Sequence, residues 1–201
     1  MSMLSISELN RGWGICGFAS ALGVMYQRDG RLGGVIDAAA TKNQLNTRLL
    51  AEIKSYLVML QAEGNQLLLN EIVRFTQSFG GPYRNFSIDA YIAKVNSIGT
   101  SPVNERDSGF SIAMPPNGVA DYLRRVGGMK VVLVSGSSMS LNNVILGLGD
   151  KTKAGGEWKG LRHWVFKKND SEIYNWGRKE THAQLMGHNA NWQVVFQVAY
   201  G

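Results

Sequence analysis

A chain of 201 residues, 44% hydrophobic and 18% charged, has enough apolar side chains to bury one core, and its even composition points to one domain over 1–201. Its net charge of +6, from 21 Lys and Arg against 15 Asp and Glu, is dispersed apart from Arg124-Arg125 and Lys151-Thr152-Lys153, which argues against the clustered stripe of a nucleic-acid reader. One cysteine excludes an intrachain disulfide, and no apolar run is long enough to span a bilayer.

Met1 to Leu9 lacks a basic run leading into a long apolar stretch, so no signal peptide is expected. The segment Asn10-Arg11-Gly12-Trp13-Gly14-Ile15-Cys16-Gly17-Phe18-Ala19-Ser20 then runs from a glycine-rich turn into a helical pattern that reaches about Gln27. A cysteine at a helix start faces unpaired backbone N–H groups and the positive end of the helix dipole. Both favour a thiolate, and the same amides can bind an oxyanion.

After a turn at Gly30 to Gly34, Leu45, Leu49, Ile53, Leu57 and Leu60 mark a helix from about Ile36 to Ala62, stopped by Gly64. Leu68, Ile72, Phe75 and Phe79 place another over Leu67 to Phe79, before the break Gly80-Gly81-Pro82. Ser87 caps a helix to Ile98, and Pro115-Pro116-Asn117 precedes one over Gly118 to Val126. The polar stretch Gly99 to Ser108 reads as an exposed loop bordering a cleft, with Thr152 to Leu161 a second loop of that kind. Strands follow at Lys130 to Ser135, Asn143 to Leu148, His163 to Lys168, Glu172 to Trp176 and Trp192 to Tyr200. Helices first and strands last is the order of an α+β domain.

A thiol nucleophile needs a base, and the base needs a group that orients it. Of the three histidines, His163 opens a hairpin that turns at Asn169-Asp170-Ser171 and returns through Glu172-Ile173-Tyr174-Asn175-Trp176-Gly177. Antiparallel pairing brings Asn175 within about one pair of His163. The expected arrangement has Nδ1–H toward the Asn175 amide and Nε2 toward sulfur, under the cover of Trp176. His182 and His188 rank below His163 because neither opens a hairpin that offers a partner, and Asp150 and Asp170 are substitute third members. One cysteine and three histidines lack paired zinc-ligand spacing, so no metal or other cofactor is expected, and Gly147-Leu148-Gly149 has no following helix to make a phosphate loop.

The order Cys16, His163, then Asn175 in Asn-Trp-Gly resembles the papain-like cysteine peptidases. That resemblance implies a catalytic triad of Cys16, His163 and Asn175, and a nucleophile helix packed on a C-terminal antiparallel sheet. Asn10, six positions before Cys16, stands where the family has an oxyanion-hole glutamine and is implied to complete that hole with the Cys16 backbone N–H. Gly14 matches the family's close-approach glycine. Gly17-Phe18 replaces the usual Trp-Ala, the His-to-Asn spacing of 12 is shorter than in papain, and the serine of Asn-Ser-Trp-Gly is missing. The compact Gly-Ile-Cys-Gly-Phe-Ala-Ser entry is similar to that of bacterial effector and toxin members. Those members are made in the cytoplasm and delivered by specialised secretion machinery, act on a protein or peptide substrate, and travel with an immunity-type inhibitor. A peptidoglycan amidase or endopeptidase, a deamidase or acyltransferase on the same scaffold, and a non-enzymatic binding domain with a structural cysteine are the competing readings.

Overall fold

The computed structural model describes residues 2–9, 14–30, 42–99, 103, 107–136 and 141–201. Seven α-helices and a six-stranded antiparallel sheet are present among them, an α+β architecture. The helices are α1 (Met3–Glu8), α2 (Cys16–Asp29), α3 (Lys42–Ala62), α4 (Gln66–Gln77), α5 (Ile88–Ile98), α6 (Pro116–Arg125) and α7 (His182–Gly187). The strands are β1 (Val131–Ser135), β2 (Val144–Asp150), β3 (Leu161–Asn169), β4 (Glu172–Asn175), β5 (Arg178–Glu180) and β6 (Trp192–Tyr200). Their order in the sheet is β1-β6-β2-β3-β4-β5.

Capping follows local chemistry. The Ser87 hydroxyl accepts from Ala90 N–H at 3.3 Å, as the sequence predicts. Helix α6 begins two residues earlier than predicted, because Pro116 at the first helical position has no N–H to leave unsatisfied. Helix α2 ends at Gly30, whose φ of +66° makes a left-handed cap. Residues 31–34 of the predicted turn, the predicted start of α3 at Ile36 to Thr41, and most of the loop Gly99 to Ser108 lie outside the described residues. Three short elements have no counterpart in the sequence reading: α1, β5 and α7.

The sheet is covered on both faces. Ile145, Trp164, Phe166, Phe196 and Val198 join α2, α3, α4 and α6 in the larger core, while Val144, Leu146, Leu148, Val165 and Ile173 pack with Leu185 of α7 and Val194. Every residue of α2 from Cys16 to Met25 is buried, so this helix is surrounded rather than amphipathic. Within its core Phe18, Tyr56 and Tyr122 meet edge to face, with ring centroids 5.1–6.0 Å apart. The Leu stripe of α3 is core, with Leu49, Ile53, Leu57 and Leu60 all buried.

Gly17 stands where two segments of the core approach closely. A Cβ there would stand 2.6 Å from Met114 Cβ, so the start of α2 and the segment before α6 approach too closely for a larger residue. Alanine in an open helix gains up to about 1 kcal/mol over glycine. At position 17 overpacking outweighs that gain, and urea denaturation of Gly17→Ala is expected to show a net loss of about 1–2 kcal/mol; unchanged or higher stability would mean that Met114 gives way freely.

Candidate active site

Cys16 is the first residue of α2, and Gly14, with φ +62°, turns the chain into it through the left-handed region that glycine adopts without strain. The thiol is 8% exposed. Burial pushes it up to about 11, against the smaller lowering effect of the backbone N–H groups of Trp164, Gly17 and Cys16. The helix start therefore does not yield the thiolate that its dipole alone predicts. Desolvation is the larger effect here.

His163 lies near the start of β3, beside an irregularity in the ladder. Leu148 pairs with His163 but Gly149 pairs with Leu161, leaving Arg162 as the extra residue of a bulge. The bulge lets three consecutive residues, Arg162, His163 and Trp164, line one cleft. On the other side β3 pairs with β4 through Phe166 and Tyr174, which places Asn175 diagonally across from His163 on the same face. His163 Nε2 and Asn175 Oδ1 are 2.8 Å apart. An amide oxygen only accepts, so Nε2–H donates and, in the neutral ring, Nδ1 is the unprotonated nitrogen. This reverses the nitrogen assignment expected from sequence, and no hydrogen bond joins His163 to Cys16.

The pair is covered by aromatic rings. Asn175 and Arg178 close a hairpin across only Trp176 and Gly177, whose φ values of +46° and +76° match the two positive angles of a type I′ turn. Tryptophan is strained in that position. The turn lays its ring on His163, with centroids 4.6 Å apart and planes 27° from parallel. Trp192, unforeseen in the sequence, adds a second stacked ring at 5.8 Å. Helix α1 holds the turn from behind, Gly177 N–H donating to Ser7 Oγ at 3.1 Å. His163 and Asn175 are only 6% and 2% exposed, although Trp176 itself is 36% exposed. Burial lowers His163 to about 4, partly offset by the Asn175 hydrogen bond and the charge of Glu180.

Cys16, His163 and Trp176 open onto a cleft of about 350 Å³. Its aromatic wall is Phe75, Phe79 and Tyr83, and its other wall is Ser111 to Met114. Among the described residues these elements, and not Thr152 to Leu161, form the sides, while most of Gly99 to Ser108 lies outside the described residues. Thr76 Oγ1 fastens the second wall, donating to Ala113 O at 3.2 Å and accepting from Ala113 N–H at 3.1 Å, and Trp164 Nε1–H donates to Met114 O at 2.9 Å. Among the described residues Arg162 is the sole charged lining residue, and it stacks its guanidinium 4.8 Å from the centroid of Phe79.

Asn10 lies outside the described residues. The substitute third members are elsewhere: Asp170 pairs with the buried Lys167 at 2.8 Å at the hairpin tip, and Asp150 caps Thr152 N–H at 2.9 Å. His188, set aside for want of a partner, has one: Nε2 lies 2.9 Å from Glu180 Oε1. Glu180 Oε2 in turn accepts from Asn175 Nδ2 at 3.3 Å. Sequence reasoning missed Glu180 because Arg178-Lys179-Glu180 is too short and polar to read as a strand. Among the described residues no cluster of three or more His, Cys, Asp or Glu could hold a metal ion, and no helix is long and apolar enough to cross a membrane. No protein-family model, curated protein or solved structure matches the chain.

Two pH effects follow. Alkylation of Cys16 in the free protein should accelerate only as pH rises toward about 11; a rate plateau already reached below pH 7 would contradict a buried neutral thiol. For His163 the folded value near 4 lies below its ordinary 6.5, so its contribution to stability is present above pH 6.5 and is lost as pH falls to 4. That loss amounts to about 3 kcal/mol. Urea midpoints at pH 7 and pH 4.5 should therefore separate less in His163→Gln than in the wild type.

Proposed function

We propose that this chain is a papain-like cysteine hydrolase that cleaves an amide bond in a protein or peptide, of the bacterial effector or toxin type. The observation that carries the reading is the convergence on one cleft of a helix-start cysteine and a histidine bonded to a buried asparagine beneath tryptophan. An apolar cleft with a few convergent polar groups is the usual form of a small-substrate or peptide site.

With both groups neutral at rest, the substrate carbonyl enters beside Cys16, and the thiol proton passes to His163 Nδ1 as sulfur attacks the carbonyl carbon. The backbone N–H of Cys16, at the helix start, faces the developing oxyanion, and Asn10 is the proposed second donor. The imidazolium, its Nε2–H held by Asn175, gives the Nδ1 proton to the leaving amine. The C–N bond breaks and a thioester remains on Cys16. Water, deprotonated by Nδ1, then releases the acid and restores the thiol. Cognate immunity protein and delivery machinery belong to the same proposal.

One observation favours a second reading: a thiol buried and raised to about 11 also suits a structural cysteine in a binding domain. Cytosolic extract and purified cell wall, each incubated with the wild type and with Cys16→Ala, separate the two when new termini and released peptides are identified by mass spectrometry. The hydrolase reading expects Cys16-dependent products, lost in Cys16→Ala, reduced about 10²–10⁴-fold in His163→Ala and by less in Asn175→Ala. Products from cell wall alone would assign the amidase alternative, and none from either sample would sink the hydrolase reading.

A further inference from the structure

The hydrogen bonds at the site do not stop at Asn175. His163, Asn175, Glu180 and His188 form a continuous chain, with separations of 2.8, 3.3 and 2.9 Å. Glu180 is buried at the end of β5, opposite Ile173 in the β4–β5 ladder, and His188, half-buried after α7, closes the chain from the outside. We infer that Glu180 is a positioning residue that fixes the tautomer of His163 through Asn175; this inference rests on the hydrolase reading only in making His163 the base.

The argument is one of donors and acceptors. An asparagine side chain has an oxygen end and an NH₂ end of nearly equal shape, and nothing in Asn175 alone decides which end meets the imidazole. A carboxylate accepts only. Glu180 therefore takes the NH₂ end, which turns Oδ1 toward His163. Oδ1 also accepts only, so the imidazole proton must sit on Nε2, leaving Nδ1 bare toward the cleft. His188 holds the other carboxylate oxygen, so Glu180 cannot swing away to solvent. The chain transmits orientation and not protons, because a neutral amide N–H does not ionise near neutral pH. Its burial matters: an unsatisfied Asn175 NH₂ in this interior would be costly, so the amide is held in one orientation.

This function differs from that of a third member of a triad. Without Glu180 the amide is free to flip, its NH₂ end then faces His163, and the imidazole must accept at Nε2 and carry its proton on Nδ1. In that tautomer the nitrogen toward the cleft is a donor and cannot take a proton from a thiol. Glutamine at 180 can still offer its oxygen to Asn175 while its NH₂ meets His188 as acceptor, so Glu180→Gln preserves the orientation that Glu180→Leu removes.

Long-range ¹H–¹⁵N correlation spectra, which distinguish protonated from bare imidazole nitrogens, test the inference directly at pH 7. The wild type and Glu180→Gln are expected to show His163 with Nε2 protonated and Nδ1 bare. Glu180→Leu is expected to show a population protonated on Nδ1, with acyl transfer from an activated ester to Cys16 slowed by about tenfold or more. Unchanged tautomer and rate in Glu180→Leu would overturn the inference. Should Glu180→Leu fail to fold, a bare Nε2 in the wild type overturns it by itself. Because the tautomer is read without turnover, a shift in Glu180→Leu in a protein that hydrolyses no amide would support the positioning role while the hydrolase reading fails.

Discussion

The hydrogen bond from His163 Nε2 to Asn175 Oδ1 is the contact on which the site depends, and three parts of the fold serve it. The β3 bulge at Arg162 turns His163 into the cleft, the β4–β5 hairpin returns Asn175 on the same face, and the strained turn at Trp176 covers both. A hydrogen bond in water contributes little net orientation, because solvent competes for both partners. Under Trp176 and Trp192 that competition is removed. The same exclusion of water pushes Cys16 and His163 toward their neutral forms, so orientation and suppressed charge have one cause.

Positive φ at Trp176 illustrates how local strain is used. A two-residue turn with both angles positive is ordinarily built from asparagine and glycine. Placing tryptophan first costs conformational energy, which the packing of its ring on His163 and the anchoring of Gly177 to Ser7 offset. Helix α1, only six residues long, matters for this reason: it reaches across to the turn that covers His163.

Much of this was legible in the sequence. Cys16 before an apolar helix, His163 at the head of a hairpin and Asn175-Trp176-Gly177 at its return are each local patterns, and local patterns define where a side chain starts. The register of one hairpin was enough to bring two of them together. The remainder was not local. Which end of the Asn175 amide faces His163 involves Glu180, which accepts from the Asn175 NH₂, and Glu180 sits in a three-residue strand whose charged composition reads as loop. Thr181-His182-Ala183-Gln184 is a capping-box pattern that marks α7 and would have placed His188 after a helix, beside its partner. The dipole of α2 can be read from sequence, whereas the burial of the Cys16 thiol, against the Trp164 backbone, comes from contacts distant in the chain. Cleft walls built from Phe75, Thr76 and Ser111 to Met114 are unpredictable for the same reason.

The central claim is that Cys16 and His163 work as one nucleophilic unit, and intact-mass spectrometry after mixing with an activated ester tests it most directly. The account predicts a single acyl group on Cys16 that appears and then disappears as water resolves it, with both phases slowed in His163→Gln. An acyl group that forms at the same rate with and without His163 and is never released, or no acyl group at Cys16, would contradict it.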